Sequence, residues 1–198
     1  MNIAFSKIWK ENRSLLLFLI LMFVFRSSFA DWNTVPSGSM KPTILEGDRL
    51  LVNKMAYDIR IPFTHISMYE ISNPVRGDIV IFDSEAANRK LVKRVIGVPG
   101  DIVELRDNVL LINGERISYR NVSSNEVATD KYENIFGIEH LIRVNNSGSE
   151  LSSFRPVTVP PGYYLALGDN RDESGDSKVI GFVPRKEIVG RSRSVVLS

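Results

Sequence analysis

The 198-residue chain is 43% apolar and 24% charged, a composition typical of one globular domain large enough to have a hydrophobic core. It contains no cysteine, which excludes disulfides, thiol catalysis and cysteine-ligated metals, and its two histidines, His65 and His140, are too few for a multi-histidine zinc site. The net charge is +2, but beyond residue 26 the chain carries 21 basic and 22 acidic residues, so nothing indicates a basic face for nucleic acid.

An unbroken apolar run, residues 15–25, follows three basic residues, Lys7, Lys10 and Arg13. The run is short for a bilayer, which needs about 20 residues, but its flanks extend it, and Arg26 could reach the far interface. Basic residues before such a run favour a cytoplasmic N-terminus and place the rest of the chain on the outer side. We therefore predict a cytoplasmic segment, 1–13, and a transmembrane anchor, 14–30.

Two other interpretations of this segment remain open. A basic stretch, an apolar stretch and then Ser28-Phe29-Ala30, with small residues at the first and third positions, also fit a cleaved signal peptide. A buried core helix is the third interpretation, and the terminal location with its charged flanks disfavours it. The first two interpretations share one consequence, because in both the body of the protein is exported.

After Ala30 the sequence consists of short β-branched runs separated by glycine and proline turns, and Asn113-Gly114 between two apolar runs predicts a hairpin. The predicted strand-rich segments are 48–57, 76–83, 90–105 with a break at 99–101, and 163–167. We predict a mainly β fold of coiled antiparallel sheets, or a barrel-like domain, from 31–101 and 161–198. Residues 102–160 are predicted to be an inserted subdomain or an extended β excursion.

The segment "VPSGSMKPT", residues 35–43, raises the question of a serine nucleophile. A serine hydroxyl needs a base, and neither His65 nor His140 lies in a sequence context typical of catalysis. A lysine on an apolar strand is the alternative, because burial lowers its pKa. Lys93 fits, since Leu91 and Val95 share its face of the predicted strand, although a lysine that protects a sheet edge explains this segment alone at least as well.

A dense polar loop, "GDNRDESGDS", covers residues 168–177. A calcium loop would alternate oxygen ligands, and Arg171 interrupts the acids, which disfavours that interpretation. A solvated turn is the simpler alternative. The loop is also suited to support a catalytic pair, because its serine and aspartate side chains can orient a neighbouring lysine.

Four blocks in this order, "PSGSMKPT", "RGDIVIF", "KRVIGVPGD" and "GDNRDESGDSKVIGFVP", closely resemble the blocks of bacterial type I signal peptidases, which are Ser-Lys leader peptidases. The resemblance spans residues 36–184 and hardly involves 102–160. It implies that Ser39 is the nucleophile and Lys93 the general base. It further implies supporting roles for three residues of the site, namely Ser37 in the oxyanion hole, Ser174 as a hydrogen-bond partner that orients Lys93, and Asp176 in holding the loop.

The resemblance also implies shallow apolar pockets that admit small residues at the first and third positions before the scissile bond. The matching residues here are Val35, Pro36, Met40, Ile44, Ile81, Leu91 and Val92. One departure concerns Lys178, where the family often has an arginine. If that arginine pairs with Asp176 through two hydrogen bonds, a lysine cannot fully replace it.

As the resemblance implies, the partners are signal-peptide-bearing preproteins and membrane lipid, with no nucleic acid, no metal and no cofactor. The expected location is the bacterial cytoplasmic membrane, single-pass, with the catalytic domain on the outer or periplasmic side. Three alternatives stay open: a self-cleaving repressor-type Ser-Lys protein, a specialised member that processes pilin or conjugation components, and a non-catalytic β-domain that binds exported peptides. The resemblance favours a retained anchor over self-cleavage after Ala30.

Overall fold

The computed structural model describes residues 12–19, 21–22, 30–61, 64 and 66–197. Residues 12–19 and 21–22 are helical. Among the described residues, no helix combines the length and the apolar character that a bilayer crossing requires. Much of the predicted anchor, the cytoplasmic segment up to residue 11, the first two residues of the candidate cleavage triplet and His65 lie outside the described residues, so these predictions stay predictions.

Elsewhere the described chain is built mainly from antiparallel strands, which confirms the predicted fold class at that level. Its strands are β1 (Ala30–Thr34), β2 (Arg49–Asn53), β3 (Asp58–Arg60), β4 (Ser67–Glu70), β5 (Ile79–Ser84), β6 (Arg89–Gly97), β7 (Ile102–Arg106), β8 (Val109–Ile112), β9 (Glu115–Arg116), β10 (Ser118–Ser124), β11 (Ala128–Ile135), β12 (Ile138–Asn145), β13 (Phe154–Thr158), β14 (Tyr163–Leu167), β15 (Val183–Pro184) and β16 (Ile188–Leu197). Among the described residues after residue 30, helical structure is limited to short turns: 3-10 turns at Gly38–Met40, Lys54–Ala56, Glu150–Ser152 and Arg185–Glu187, and one α-helical turn at Ser177–Ile180.

The central sheet has the strand order β1-β2-β16-β5-β6-β14-β15. Strand β6 lies inside it, but its two edges are used differently. Along one edge all of Arg89 to Arg94 pairs with β5, whereas along the other β14 pairs only with Arg94, Val95 and Gly97. The first half of β6 therefore has one edge without a neighbouring strand among the described residues.

The excursion between β6 and β14 forms two further sheets, β13-β7-β8-β9 and β10-β11-β12, while β3 and β4 form a separate hairpin. Its apolar side chains share a core with the central sheet, since Ile96 and Leu165 belong to the same buried cluster as Val103, Leu110 and Ile135. This shared core fixes the excursion against the strands that carry the site described below.

Local turn chemistry accounts for the best-predicted elements. Asn113 and Gly114 have φ values of 54° and 82°, the left-handed pair that a two-residue hairpin between β8 and β9 requires. The predicted break after β6 is also present, with Gly100 at φ 91° between β6 and β7. Residue 54, by contrast, was predicted to continue the strand of 48–57, but a 3-10 turn at Lys54–Ala56 ends it there.

Candidate active site

Ser39 lies on the short 3-10 turn Gly38–Met40, and the apolar residues on either side fix that turn. Val35 is tied to the next loop by two backbone hydrogen bonds, one to Asp48 O and one from Gly47 N, each 2.9 Å long. Met40 is fully buried in a small cluster with Val35 and Ile44. The apolar neighbours point inward, which leaves the Ser39 side chain half-buried at the surface of the turn.

The polar loop 168–177 holds this turn from the other side. Asn170 donates its backbone N–H to Ser39 O at 3.1 Å and its side-chain amide to Gly38 O at 3.2 Å. A Cβ on Gly168 would collide with Ser39 O and with the Ser174 hydroxyl, so this close approach requires glycine. The loop therefore positions the serine through its backbone.

Lys93 reaches the same point from β6. Its side chain is 1% exposed, and its ammonium nitrogen Nζ lies 2.5 Å from Ser39 Oγ, within hydrogen-bond distance. Burial lowers the pKa of Lys93 from 10.5 to about 8; the negative charge of Asp176 opposes this, and the positive charge of Arg89 adds to it. The residues that sequence analysis paired as nucleophile and base are thus in contact, and the lysine has an environment that favours its neutral form.

Ser37 precedes this turn and is exposed. Its hydroxyl donates to Ser39 Oγ across 3.4 Å, a long hydrogen bond. The side chain is therefore beside the serine oxygen, on the open side of the turn. This is where the oxygen of a carbonyl group whose carbon is attacked by Ser39 would need a hydrogen-bond donor.

Ser174 lies next to the Ser39 backbone, since both would contact a Cβ placed on Gly168. Its hydroxyl is buried and makes no hydrogen bond within the part of the chain that the structure describes. The hydrogen bond from Ser174 to Lys93 that the resemblance implies is therefore not formed here.

Asp176 anchors the end of the polar loop. Its carboxylate accepts from Gly168 N at 2.9 Å and from Lys178 N at 3.1 Å, and it caps the helical turn Ser177–Ile180. The ammonium of Lys178 lies 3.6 Å from the same carboxylate and also donates to Arg171 O. A lysine here makes one ion-pair contact with Asp176, whereas the guanidinium of an arginine could make two.

Two buried arginines brace the loop from behind. Arg94 on β6 makes a two-point ion pair with Asp169, with nitrogen–oxygen distances of 2.8 and 2.7 Å, and also donates to Gly77 O. Arg171 makes a similar pair with Glu133 on β11, with one distance of 2.7 Å. Burial alone would raise the pKa of Glu133, but the charges and hydrogen bonds of Arg171 and His140 together outweigh it and hold that pKa well below its usual range.

Further contacts complete this support. Tyr119 donates to Glu133 Oε1 at 2.6 Å, and His140 Nε2 lies 3.0 Å from Oε2 of the same carboxylate. Asp172 accepts from the Asn108 side chain at 3.0 Å and from Asn145 N at 2.8 Å. The acids of the loop therefore face protein donors, which is the arrangement of a support element and not of a calcium loop.

A narrow cleft of about 80 Å³ opens beside Ser39 and Lys93. Four of the seven predicted pocket residues line it, namely Val35, Pro36, Leu91 and Val92. The remaining three, Met40, Ile44 and Ile81, are buried at 2% exposure or less and lie behind the cleft. Ser37, Arg89 and Lys90 complete the lining.

Sequence analysis did not single out the contacts of Asn170, Arg94 or Glu133. A basic residue directly after Lys93 that points to the opposite face was a signal for Arg94. Glu133 gave no such signal, because its partner Arg171 is 38 positions away. A buried carboxylate in a polar strand is recognised only when its partner is known.

Comparisons with known proteins agree on one family. The profile of a family described as "Signal peptidase, peptidase S26" matches residues 8–197. Signal peptidase I of Pseudomonas aeruginosa is 37% identical over 196 residues, covering 91% of this chain and 69% of that protein. Signal peptidase I of Bacillus amyloliquefaciens is 33% identical over 188 residues, covering 94% and 84%. The crystal structure of a signal peptidase I from Enterococcus faecalis is 36% identical, covers 62% of this chain and 98% of that one, and has a TM-score of 0.41.

Proposed function

The chain belongs to the signal peptidase family, peptidase S26, and from this premise we propose that it is a membrane-bound serine endopeptidase that removes N-terminal signal peptides from exported preproteins. Ser39 is its nucleophile and Lys93 its general base. The contact between Ser39 Oγ and the buried Lys93 ammonium group, 2.5 Å, is the observation that carries the proposal. The name signal peptidase I, borne by both relatives above, favours this function over the processing of pilin or conjugation components.

The acylation step uses the neutral form of Lys93. Lys93 Nζ takes the proton from Ser39 Oγ as that oxygen attacks the carbonyl carbon of the scissile peptide. The Ser37 hydroxyl and the Ser39 backbone N–H donate to the oxyanion. When the C–N bond breaks, Lys93 passes its proton to the leaving amine, which departs as the new N-terminus of the mature protein.

Deacylation repeats the same proton transfers with water. Lys93 Nζ takes a proton from water as its oxygen attacks the acyl-enzyme carbon. The ester bond to Ser39 then breaks, and the proton on Lys93 returns to Ser39 Oγ. The released leader ends in a carboxylate, and the catalytic pair returns to its starting state.

The free edge of β6 is suited to hold the substrate as an added strand. Val95 directs both its N–H and its C=O toward the β5 side, to Asp78 O and Gly77 N. Because strand backbone groups alternate, those of Lys90 and Val92 face the opposite, free edge. An extended peptide between this edge and Val35 would bring its carbonyl to Ser39.

The size of the cleft supports selection of small side chains. Leu91 and Val92 form one wall and Val35 and Pro36 the other, and the enclosed volume is about 80 Å³. These walls pack against the core, so the cleft cannot readily widen around a bulky substrate side chain, and small side chains are favoured.

Membrane attachment through the apolar run 15–25 is part of the proposal, with the catalytic domain on the outer side of the cytoplasmic membrane. The β3–β4 hairpin adds support, because its apolar side chains Ile59, Met68 and Tyr69 are 41%, 69% and 66% exposed. Such an exposed apolar surface can contact lipid, which suits a protein whose substrates are themselves held in a bilayer.

Substituting the two central residues tests the function. We expect Ser39→Ala and Lys93→Ala each to lower the kcat/KM for cleavage of a purified preprotein by at least about 1,000-fold in the full-length protein in detergent micelles, with an unchanged far-UV circular dichroism spectrum. Ser118→Ala and Lys186→Ala, which alter exposed residues of the same types, serve as matched controls and should cleave normally. Near-normal cleavage by either central variant would reject the Ser-Lys assignment.

A further inference from the structure

Arg89 is a charged residue at the mouth of the cleft that the proposed chemistry does not use. It is exposed, lines the cleft together with Val35 and Leu91, and its side chain makes no hydrogen bond or ion pair with any residue that the structure describes. Its terminal nitrogen Nη2 lies 3.6 Å from the point where a Cβ on Gly175 would stand, so the guanidinium lies near the polar loop. An arginine without a partner at this place is free to bind a ligand.

The spacing along β6 relates Arg89 to the substrate. Side chains alternate along a strand, so Arg89, Leu91 and Lys93 share the face toward the cleft. Consider a peptide that binds along the free edge and runs parallel to β6. If its residue −1, the last before the scissile bond, lies beside Lys93, its residue −3 lies beside Leu91. Residue −5 then lies beside Arg89, roughly 13 Å along the strand from residue −1, at about 3.3 Å per residue.

The charges around this point favour an acidic ligand. Lys90 also lines the cleft and adds positive charge, and the carboxylate of Asp83, 3.9 Å from its ammonium, pairs with Lys90 and not with Arg89. Lys93 shares the face of Arg89 and adds positive charge whenever it is protonated. Among the described residues, no carboxylate lies within ion-pair distance of Arg89, so a carboxylate from the substrate meets no competing acid.

We propose that Arg89 forms a subsite that binds an aspartate or glutamate side chain at residue −5 of the leader and disfavours lysine or arginine there. This proposal rests on the proposed function, because it uses the same substrate strand. Arg89 transfers no proton, since it lies four residues from Lys93 on the strand, and its charge acts on the chemical step only through the pKa of Lys93. The guanidinium group can bind a carboxylate through two hydrogen bonds. These fix the orientation of the acidic side chain in addition to attracting its charge.

The test compares synthetic leader peptides that differ in residue −5 alone, aspartate, asparagine or lysine, with alanine at −1 and −3. For the full-length protein in detergent micelles, we expect kcat/KM for the aspartate peptide to exceed that for the lysine peptide about fivefold, a ratio typical of one partly exposed ion pair. Arg89→Gln should reduce this ratio to less than about twofold, and Arg89→Glu should invert it. Each ratio is taken on one enzyme at one pH, so a change in the basicity of Lys93 cancels.

Arg116→Gln is the matched control, because it removes the same charge from an exposed residue on β9 and should keep the wild-type ratio. An aspartate-to-lysine ratio near one in the wild type, or a ratio that Arg89→Gln and Arg89→Glu leave unchanged, would overturn the subsite. Failure of the proposed function has a different signature, namely that the asparagine peptide is not cleaved, or that Ser39→Ala still cleaves it.

Discussion

Lys93 and Arg94 are adjacent cations on β6, they are 1% and 5% exposed, and their surroundings differ completely. On one face of the strand Lys93 meets a serine hydroxyl and apolar walls, and its ammonium makes no ion pair with a described residue. On the other face Arg94 is matched by Asp169 through two hydrogen bonds and by a backbone carbonyl. One strand thus carries a reactive cation and a structural one side by side.

The difference shows how reactivity arises from a missing partner. Burial disfavours a charge, and a carboxylate in contact offsets that cost. Arg94 has such a carboxylate and a guanidinium that does not lose its proton in proteins, so it serves to fix Asp169 and the polar loop. Lys93 lacks a contacting carboxylate, so its pKa falls to about 8 and it can take a proton near neutral pH.

The largest effect that this comparison predicts is on stability, at the structural cation. Asp169→Asn leaves the charge of Arg94 buried without its partner, which should lower the free energy of unfolding by about 3–5 kcal/mol. Urea unfolding of the full-length protein in detergent micelles, followed by fluorescence, measures the change. Glu85→Gln is the matched control, because the Lys186–Glu85 pair is 72% and 75% exposed at its two side chains and should contribute less than about 1 kcal/mol. A loss below about 1 kcal/mol for Asp169→Asn would show that Arg94 does not depend on its partner.

Removing the charge of the reactive cation, Lys93, should have the opposite effect on stability. Below pH 8 the folded protein has to bury a charged Lys93 that water solvates in the unfolded chain, whereas above pH 10.5 the lysine is neutral in both states. Lys93→Met, which removes the charge and keeps an unbranched side chain of similar size, should therefore raise the free energy of unfolding by about 3 kcal/mol at pH 7.

That gain should shrink as the pH rises from 8 and approach zero above 10.5. Thermal unfolding of wild type and Lys93→Met, measured in parallel from pH 6 to pH 10.5, gives the difference at each pH and cancels the titration of all other groups. A difference that does not change with pH would contradict a lowered pKa for Lys93.

The sequence predicted those parts of the site that local chemistry determines. The serine pair, the lysine on an apolar strand and the Asn113-Gly114 hairpin each follow from neighbouring residues, because turns and strand faces are local properties. Alternation along 91–96 by itself puts Lys93 and Arg94 on opposite faces of the strand. The roles of Ser39 and Lys93 came from the resemblance of four blocks, and the contact between the two residues agrees with it.

Features that depend on distant partners could not be predicted. Individual strands within 102–160 could not be assigned, and β10, which is exposed at nearly every residue, has no alternation of buried and exposed residues to reveal it. Met40, Ile44 and Ile81 have the same apolar character as Leu91, and only packing decides that they lie behind the cleft and not along it. The pairing of Glu133 with Arg171 depends on how the excursion folds back on the loop, which no local pattern encodes.

The smallest predicted effect is on the rate, and it follows from the same cation. Because the base is the neutral form of Lys93, kcat/KM should fall about tenfold for each pH unit below 8 and level off above it, which leaves about one tenth of the maximum at pH 7. Initial rates with a leader peptide that has asparagine at −5, between pH 5.5 and pH 10, measure this profile. The positive charge of Arg89 lowers the pKa of Lys93. Arg89→Gln removes that charge, so it should raise this pKa and move the rising limb of the profile to higher pH, whereas Arg116→Gln should leave the limb in place. A kcat/KM that stays constant into acid pH, or a rising limb that Arg89→Gln moves to lower pH, would exclude Lys93 as the base. The reason is that the loss of a nearby positive charge has to raise the pKa of a lysine that no carboxylate partner holds in its charged form.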